Sequence, residues 1–173
     1  MSSLLWLLLT PVAAGCVLPL LRQTDLAGWV NVTASLLTFA ASVSLAVQVA
    51  HVGKIQGATF LIDDFNVYLV VLTSFVGLTT SIFSRPYMQY VREMGMTDTR
   101  GLRLYHGMYQ AFMFTMLLAL TTANLGVLWV AVEGATLATV LLVSLYRTPE
   151  AIEAAWKYFI LCGVGIALAL FGT

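Results

Sequence analysis

Charged side chains and cysteines are both scarce in this chain of 173 residues. Only 9% of the residues are Asp, Glu, Lys or Arg, against about 25% in an ordinary soluble domain. Eight basic residues balance eight acidic ones, so no positive field attracts nucleic acid, and we exclude nucleic-acid binding. Cys16 and Cys162 lie in separate apolar runs without the spacing of zinc or iron–sulfur ligands. We therefore expect no metal and no cofactor in this chain.

Apolar residues make up 60% of the sequence and are grouped in long runs. A helix that crosses a bilayer needs about 20 mostly apolar residues. Because little sequence remains between the runs, residues 1–173 are expected to form one all-α transmembrane domain that is embedded in the lipid bilayer. The segments that satisfy the length requirement are 3–21, 28–50, 60–84, 103–123, 125–146 and 149–172.

The first apolar segment has an alternative interpretation as a signal peptide, because the residues AAGC ending at Cys16 resemble a lipoprotein cleavage site. The positively charged start of a secretory signal is missing, however. We therefore favour a retained first helix that is bent at Pro11 or Pro19.

Arginine is distributed unevenly over the connections between the segments. Six alternating spans place all the arginines on one side and only Lys54 on the other. Basic residues of membrane proteins are concentrated on the cytoplasmic side. The pattern therefore predicts a protein of the cell (inner) membrane with both termini outside the cytoplasm. The arginines are Arg22, Arg85, Arg92, Arg100, Arg103 and Arg147.

An acidic residue, Glu133, interrupts the fifth apolar segment in the run WVAVEGATLATVLLV. It lies nine residues after Asn124, or about 14 Å along a helix, which is close to the middle of a bilayer. An ionisable group there costs about 3 kcal/mol and persists mostly beside a partner or a wet cavity. Thr136 and Ser144 fall on the same side of the helix and could hold water. We predict that Glu133 binds a proton; the alternative is an acid that only hydrogen-bonds a neighbouring helix.

Lys157 is a second candidate, about 12 Å from the start of the sixth segment and expected to be buried. It shares a helix face with Glu153, which is also assigned to the predicted proton pathway. The alternative is an interfacial lysine that follows Trp156, extends toward the membrane surface and pairs with Glu153 four residues earlier.

Two further residues complete the predicted proton pathway. His106, beside Tyr105, could relay protons because its side chain titrates near neutrality, although a place in an aromatic belt is the alternative. Asp63 precedes the third helix, where a role as a helix cap competes with a role in transport.

The run NLGVLWVAVEGATLATVLLVSLYRTPEAIEAAWKYFILCGVGIALALFGT, residues 124–173, resembles the antiporter-like membrane subunits of respiratory complex I, Mrp antiporters and energy-converting hydrogenases. Its greatest resemblance is to the component F type of hydrogenase-4. The run DDFNVYLVVLTSFVGLTTSIFSRPYM, residues 63–88, is similar to the third helix and following loop of that family.

The resemblance implies that Glu133 corresponds to the helix-five glutamate of a proton channel and Lys157 to a basic residue on helix six. The family fold has about fourteen helices with two inverted five-helix repeats. This chain would correspond to its first six helices and lacks the broken seventh helix and the second repeat. The implied partners are other membrane subunits, a chain that supplies the missing helices, and a peripheral hydrogenase or dehydrogenase arm.

We therefore expect a proton-translocating subunit, or its N-terminal portion, in a complex-I-related hydrogenase or quinone oxidoreductase. Such a subunit moves ions and does not itself catalyse the redox reaction. One alternative is a membrane scaffold that docks a redox arm through residues 85–103 without carrying protons. Another is a small self-assembling ion carrier or channel.

Overall fold

A computed structural model describes residues 2–21, 23–57, 59–146 and 148–172. It is built of α-helices, which confirms the all-α polytopic prediction. A 3₁₀ turn, Leu18–Leu20, follows the first helix, and another, Ser144–Tyr146, follows the fifth. The helices are α1 (Ser2–Val17), α2 (Thr24–Val52), α3 (Asp64–Glu93), α4 (Thr99–Thr121), α5 (Leu125–Val143) and α6 (Pro149–Gly172).

The connection between α2 and α3 contains a small hairpin that the hydropathy pattern did not predict. Strand β1 (Ile55–Gln56) pairs antiparallel with β2 (Leu61–Ile62), so the first residue of β1 lies opposite the last residue of β2. The backbone N–H of Ala123 donates to the carbonyl of Thr59 at 2.7 Å. The hairpin therefore fastens the α2–α3 connection to the turn between α4 and α5.

Helix α3 ends nine residues beyond the predicted end at residue 84 and continues through Pro86. The extension is stabilised by packing, because Met88 and Val91 are buried and Met88 belongs to an apolar cluster with residues of α4 and of the turn after α5. The helix then stops beside Gly95, whose φ of +73° lies in the left-handed region that glycine adopts without a steric penalty.

Side-chain caps fix the starts of the last two helices. The Asn124 side-chain oxygen accepts a hydrogen bond from the Val127 N–H at 3.1 Å at the start of α5. At the start of α6 the Thr148 hydroxyl accepts from the Ala151 N–H at 3.2 Å, and Pro149 occupies the first helical position. Both arrangements pair N–H groups that have no partner within the helix itself.

Helix α4 lies at the centre of the bundle and α6 at its edge. Helix α4 packs against α1, α2, α3 and α5, whereas α6 packs mainly against α5. Leu7, Leu45, Val70 and Leu117 form the middle of an apolar core that joins the first four helices. Among the described residues of α6 only Ala155 is buried.

One end of the bundle, which we call the arginine end, is defined by Arg92, Arg100 and Arg103 where α3 ends and α4 begins. There the Gln89 side-chain amide at the end of α3 donates to the Asp25 carboxylate at the start of α2, at 2.7 Å. Antiparallel packing therefore brings most of the described arginines to one end. Arg22 and Arg147, which were counted with them, lie outside the described residues.

By length and composition, five helical segments of the described chain can cross a membrane: those of α1, α2, α3, α5 and α6. Helix α4 has 23 residues, and therefore a similar length, but it carries more polar side chains. Its polar residues His106 and Gln110 are buried inside the bundle.

Candidate functional site

Glu133 lies half-buried in the middle of α5. No side chain in the described part of the chain forms a hydrogen bond or an ion pair with it. One turn earlier, the Trp129 ring N–H donates to the Ile166 carbonyl of α6 at 3.1 Å. Because residues four apart share a helix face, Glu133 projects near the contact between α5 and α6.

The two hydroxyl residues that were expected to hydrate Glu133 bond to their own helix. The Thr136 hydroxyl donates to the Val132 carbonyl, and the Ser144 hydroxyl to the Leu141 carbonyl, each at 3.1 Å. Their donor hydrogens are therefore not free for Glu133. Over the described residues, no group of three His, Cys, Asp or Glu side chains could hold a metal ion.

Lys157 is exposed on α6, contrary to the expectation that it is buried. Its ammonium contacts the Glu153 carboxylate at 2.5 Å, and the two side chains are 70% and 65% exposed. The local ion pair that the sequence left open as an alternative is therefore formed. The exposure follows from the position of α6 at the edge of the bundle, where few residues pack over it.

The register of α5 against α6 separates Lys157 from Glu133. The Trp129–Ile166 hydrogen bond and the antiparallel direction place Cys162 close to the level of Glu133. Lys157 is five residues nearer the arginine end, or about 8 Å along the helix axis. The two side chains make no direct contact in this chain, so any coupling between them requires water or movement.

His106 is buried on α4, with 2% of its surface exposed, which contradicts the aromatic-belt alternative. Thr115 lies nine residues later, and at about 100° per residue it points to the opposite side of α4. A Cβ atom at Gly134, next to Glu133, would lie 2.9 Å from Thr115. Helix α4 therefore separates His106 from Glu133, and the structure does not join the predicted pathway residues in one track.

Asp63 caps helix α3. Its carboxylate accepts a hydrogen bond from the Asn66 N–H at 2.8 Å. This is the local role that the sequence left open beside a role in transport, and its position before the helix explains why an acid is favourable there.

We expect Asp63→Ala to destabilise the protein by about 1 kcal/mol because it leaves an N–H of α3 without its side-chain acceptor. For a chain of this size the midpoint of thermal unfolding in detergent should fall by about 2–4 °C. Asp63→Asn is the matched control, because asparagine also caps helices but carries no charge. Equal midpoints for Asp63→Ala and the unaltered protein would contradict a capping role.

The sequence analysis missed a buried amide pair between α2 and α4. The Gln110 side-chain amide donates to the Asn31 side-chain oxygen at 2.8 Å and lies 3.1 Å from the Ser35 hydroxyl. A signal was present in α2, where polar residues recur with a helical spacing of three and four on one face. These residues are Asn31, Ser35, Thr38 and Ser42, and all are buried.

Comparisons with known proteins find relatives of this sequence. Over 166 residues, 96% of this chain, the sequence is 45% identical to a hydrogenase-4 component F homolog of Methylacidiphilum infernorum (isolate V4). The chain is related to the antiporter-like membrane subunits. The sequence is also 33% identical, over 116 residues or 65% of its length, to NADH-quinone oxidoreductase subunit L of two Mycobacterium tuberculosis strains. No family model matches the chain.

These similarities confirm the predicted resemblance and, with the apolar helices, an integral membrane location. The chain spans 34% of the length of the component F homolog and 17% of the length of subunit L. It therefore corresponds to a minor part of each relative.

Proposed function

We propose that the chain is part of a proton-translocating membrane subunit of a complex-I-related hydrogenase or quinone oxidoreductase, with Glu133 as its proton-binding acid. The observation that carries the proposal is a half-buried carboxylate in the middle of a spanning helix, without a side-chain partner in the described chain. A structural acid at that depth would be expected to have such a partner. The similarity to a subunit L and a component F homolog supports the same assignment.

The chemistry of the site depends on two opposing effects. Apolar surroundings favour the neutral, protonated acid, whereas a nearby cation favours the carboxylate. Moving a cation toward or away from Glu133 would therefore release or take up a proton. Lys157 is the basic residue of α6 that could act in this way, either through water or after a change in its position. Redox chemistry in a peripheral arm would supply the energy.

Further membrane helices would complete the site. The outer face of α6 exposes Leu161, Val164 and Leu168, and a Cβ atom added at Gly163 would contact nothing. The Glu153–Lys157 pair lies on the same helix and would be costly in contact with lipid. We infer that helices from the remaining length of such a subunit, or from a neighbouring subunit, cover this face. Residues 1–173 would then be one part of a larger transmembrane domain.

The arginine end would face the cytoplasm and the peripheral arm, with the start of α1 on the other side of the membrane. The sequence assigns six arginines to one side of the membrane and only Lys54 to the other, and this bias of basic residues supports the orientation.

A scaffold without proton transfer is the second candidate. The exposed Lys157 is already neutralised by Glu153, which removes it from a buried relay within this chain. The arginine end would then serve only to dock a redox arm.

Neutralising both Glu133 and Lys157, as Glu133→Gln with Lys157→Gln, distinguishes the two candidates. The double variant should abolish redox-driven proton transfer by the assembled complex in reconstituted vesicles, because it removes both the proposed proton-binding acid and the basic residue of α6. Glu150→Gln, at the exposed start of α6, is the control for the loss of a carboxylate. Full coupling in the double variant would refute the proposal and support the scaffold. Proton transport by the purified chain alone would instead support a self-assembling carrier.

A further inference from the structure

Three buried side-chain nitrogens in the described part of the chain have no hydrogen-bond partner: Asn31 Nδ2, Arg85 Nε and His106 Nδ1. Asn31 is fully buried and His106 is 2% exposed. Buried polar groups are almost always paired, with protein or with ordered water. An explanation is therefore needed for each of these nitrogens.

The three nitrogens lie at neighbouring levels of the bundle, and His106 is on the side of α4 that faces away from Glu133. His106 lies one turn before Gln110, whose amide binds Asn31. A Cβ atom at Gly28, one turn before Asn31, would lie 3.5 Å from Arg85 Nε. The three side chains thus come from α2, α3 and α4 at levels that differ by about one helical turn.

No neighbouring side chain of the described residues forms a hydrogen bond with these nitrogens. The Gln110 amide has two hydrogens but is close to three acceptors, the side-chain and backbone oxygens of Asn31 and the Ser35 hydroxyl, at 2.8 to 3.2 Å. The guanidinium of Arg85 stacks on the Trp29 ring at 4.2 Å, a contact that leaves Nε without an acceptor. Protein atoms alone therefore do not supply a hydrogen-bond partner for every buried polar group in this region.

We infer that ordered water occupies this region, bound by His106, Asn31 and Arg85, and that the first four helices thereby hold a hydrated proton relay distinct from Glu133. Water fits because it donates and accepts, and buried water typically makes about three hydrogen bonds to otherwise unpaired groups. Arg103, Tyr105 and Tyr109 are the other titratable groups of α4 within one turn of His106. Gly15 of α1 and Pro19 of the following 3₁₀ turn lie beside the adjacent Gly107.

The relay would work without leaving a charge on the imidazole. A neutral imidazole accepts a proton at one ring nitrogen and releases one from the other, so that it ends as the alternate tautomer. The proton comes from a water on one side and passes to a water on the other. The relay would lie near the arginine end, because His106 is seven residues from the start of α4. This role rests on the proposed function, since it requires a protein that moves protons.

His106→Gln tests the relay, because glutamine keeps hydrogen-bonding groups but cannot exchange protons as imidazole does. We expect redox-driven proton transfer by the assembled complex to fall about tenfold, with an unchanged amount of complex. His51→Gln, at the exposed last turn of α2, is the matched control. Unchanged transfer in His106→Gln would overturn the relay.

Measured beside Glu133→Gln, the same assay separates this inference from the proposed function. If proton transfer is lost in Glu133→Gln but not in His106→Gln, the relay is refuted and the proposed function is left intact. If proton transfer is lost in His106→Gln but not in Glu133→Gln, the relay is supported and Glu133 has no part in the mechanism.

A structure of the unaltered complex at a resolution that shows water provides a second test, independent of any variant. Water density within hydrogen-bond distance of His106 Nδ1 and Asn31 Nδ2 is expected. A dry region with both nitrogens paired to protein atoms would overturn the inference.

Discussion

Replacing Glu133 by glutamine should lower redox-driven proton transfer by about two orders of magnitude, the lower range of what a positioned acid or base contributes to proton transfer. Glutamine has nearly the same shape and still forms hydrogen bonds, but it cannot release a proton. Glu133 is half-buried and makes no side-chain hydrogen bond in the described chain, so the substitution breaks no such bond. The complex should therefore assemble in normal amounts.

The measurement is the initial rate of proton uptake in vesicles that contain the purified complex, recorded together with the rate of electron transfer. Glu150→Gln removes a carboxylate from an exposed site on α6 and should leave both rates unchanged. Glu133→Asp retains a titratable group on a shorter side chain and should retain part of the proton transfer. A normal proton rate in Glu133→Gln would mean that Glu133 has no part in the mechanism.

The helices could be predicted from sequence because a segment that crosses a bilayer must satisfy its backbone hydrogen bonds internally. Helix ends were harder to predict. Arg85 and Pro86 look like the end of an apolar helix, yet α3 continues to Glu93 because Met88 and Val91 find a buried surface to pack against. That surface is formed by residues distant in sequence, so no local pattern contains it.

In the candidate site too, features set by a single helix could be predicted, whereas features set by packing between helices could not. The depth of Glu133 follows from counting residues along one helix, but the exposure of Lys157 depends on what packs against α6. His106 could be identified as a titratable residue, but its separation from Glu133 depends on how α4 is rotated between its neighbours. The Asn31–Gln110 pair combines two helices that are far apart in sequence, although the polar face of α2 was visible.

The second large effect is expected for Gly107→Leu, at the crossing of α1 and α4. A Cβ atom at Gly107 would lie 2.7 Å from Pro19 Cγ and 3.5 Å from the Gly15 carbonyl oxygen. A proline ring and a backbone carbonyl cannot rotate away as the end of a flexible side chain can. The two helices would have to separate, and overpacking of this kind costs about 1–3 kcal/mol. The midpoint of thermal unfolding in detergent should therefore fall by about 2–12 °C.

Gly163→Leu is the matched control for Gly107→Leu, since a Cβ atom at Gly163 on the outer side of α6 meets nothing within 4 Å. The same substitution should leave the unfolding midpoint of the isolated chain nearly unchanged. Equal effects at both glycines would show that loss of glycine, and not the close contact with Pro19, determines the stability. In the assembled complex the same comparison also tests whether further helices cover α6. If further helices cover α6 as proposed, Gly163→Leu should weaken assembly while the chain itself remains stable.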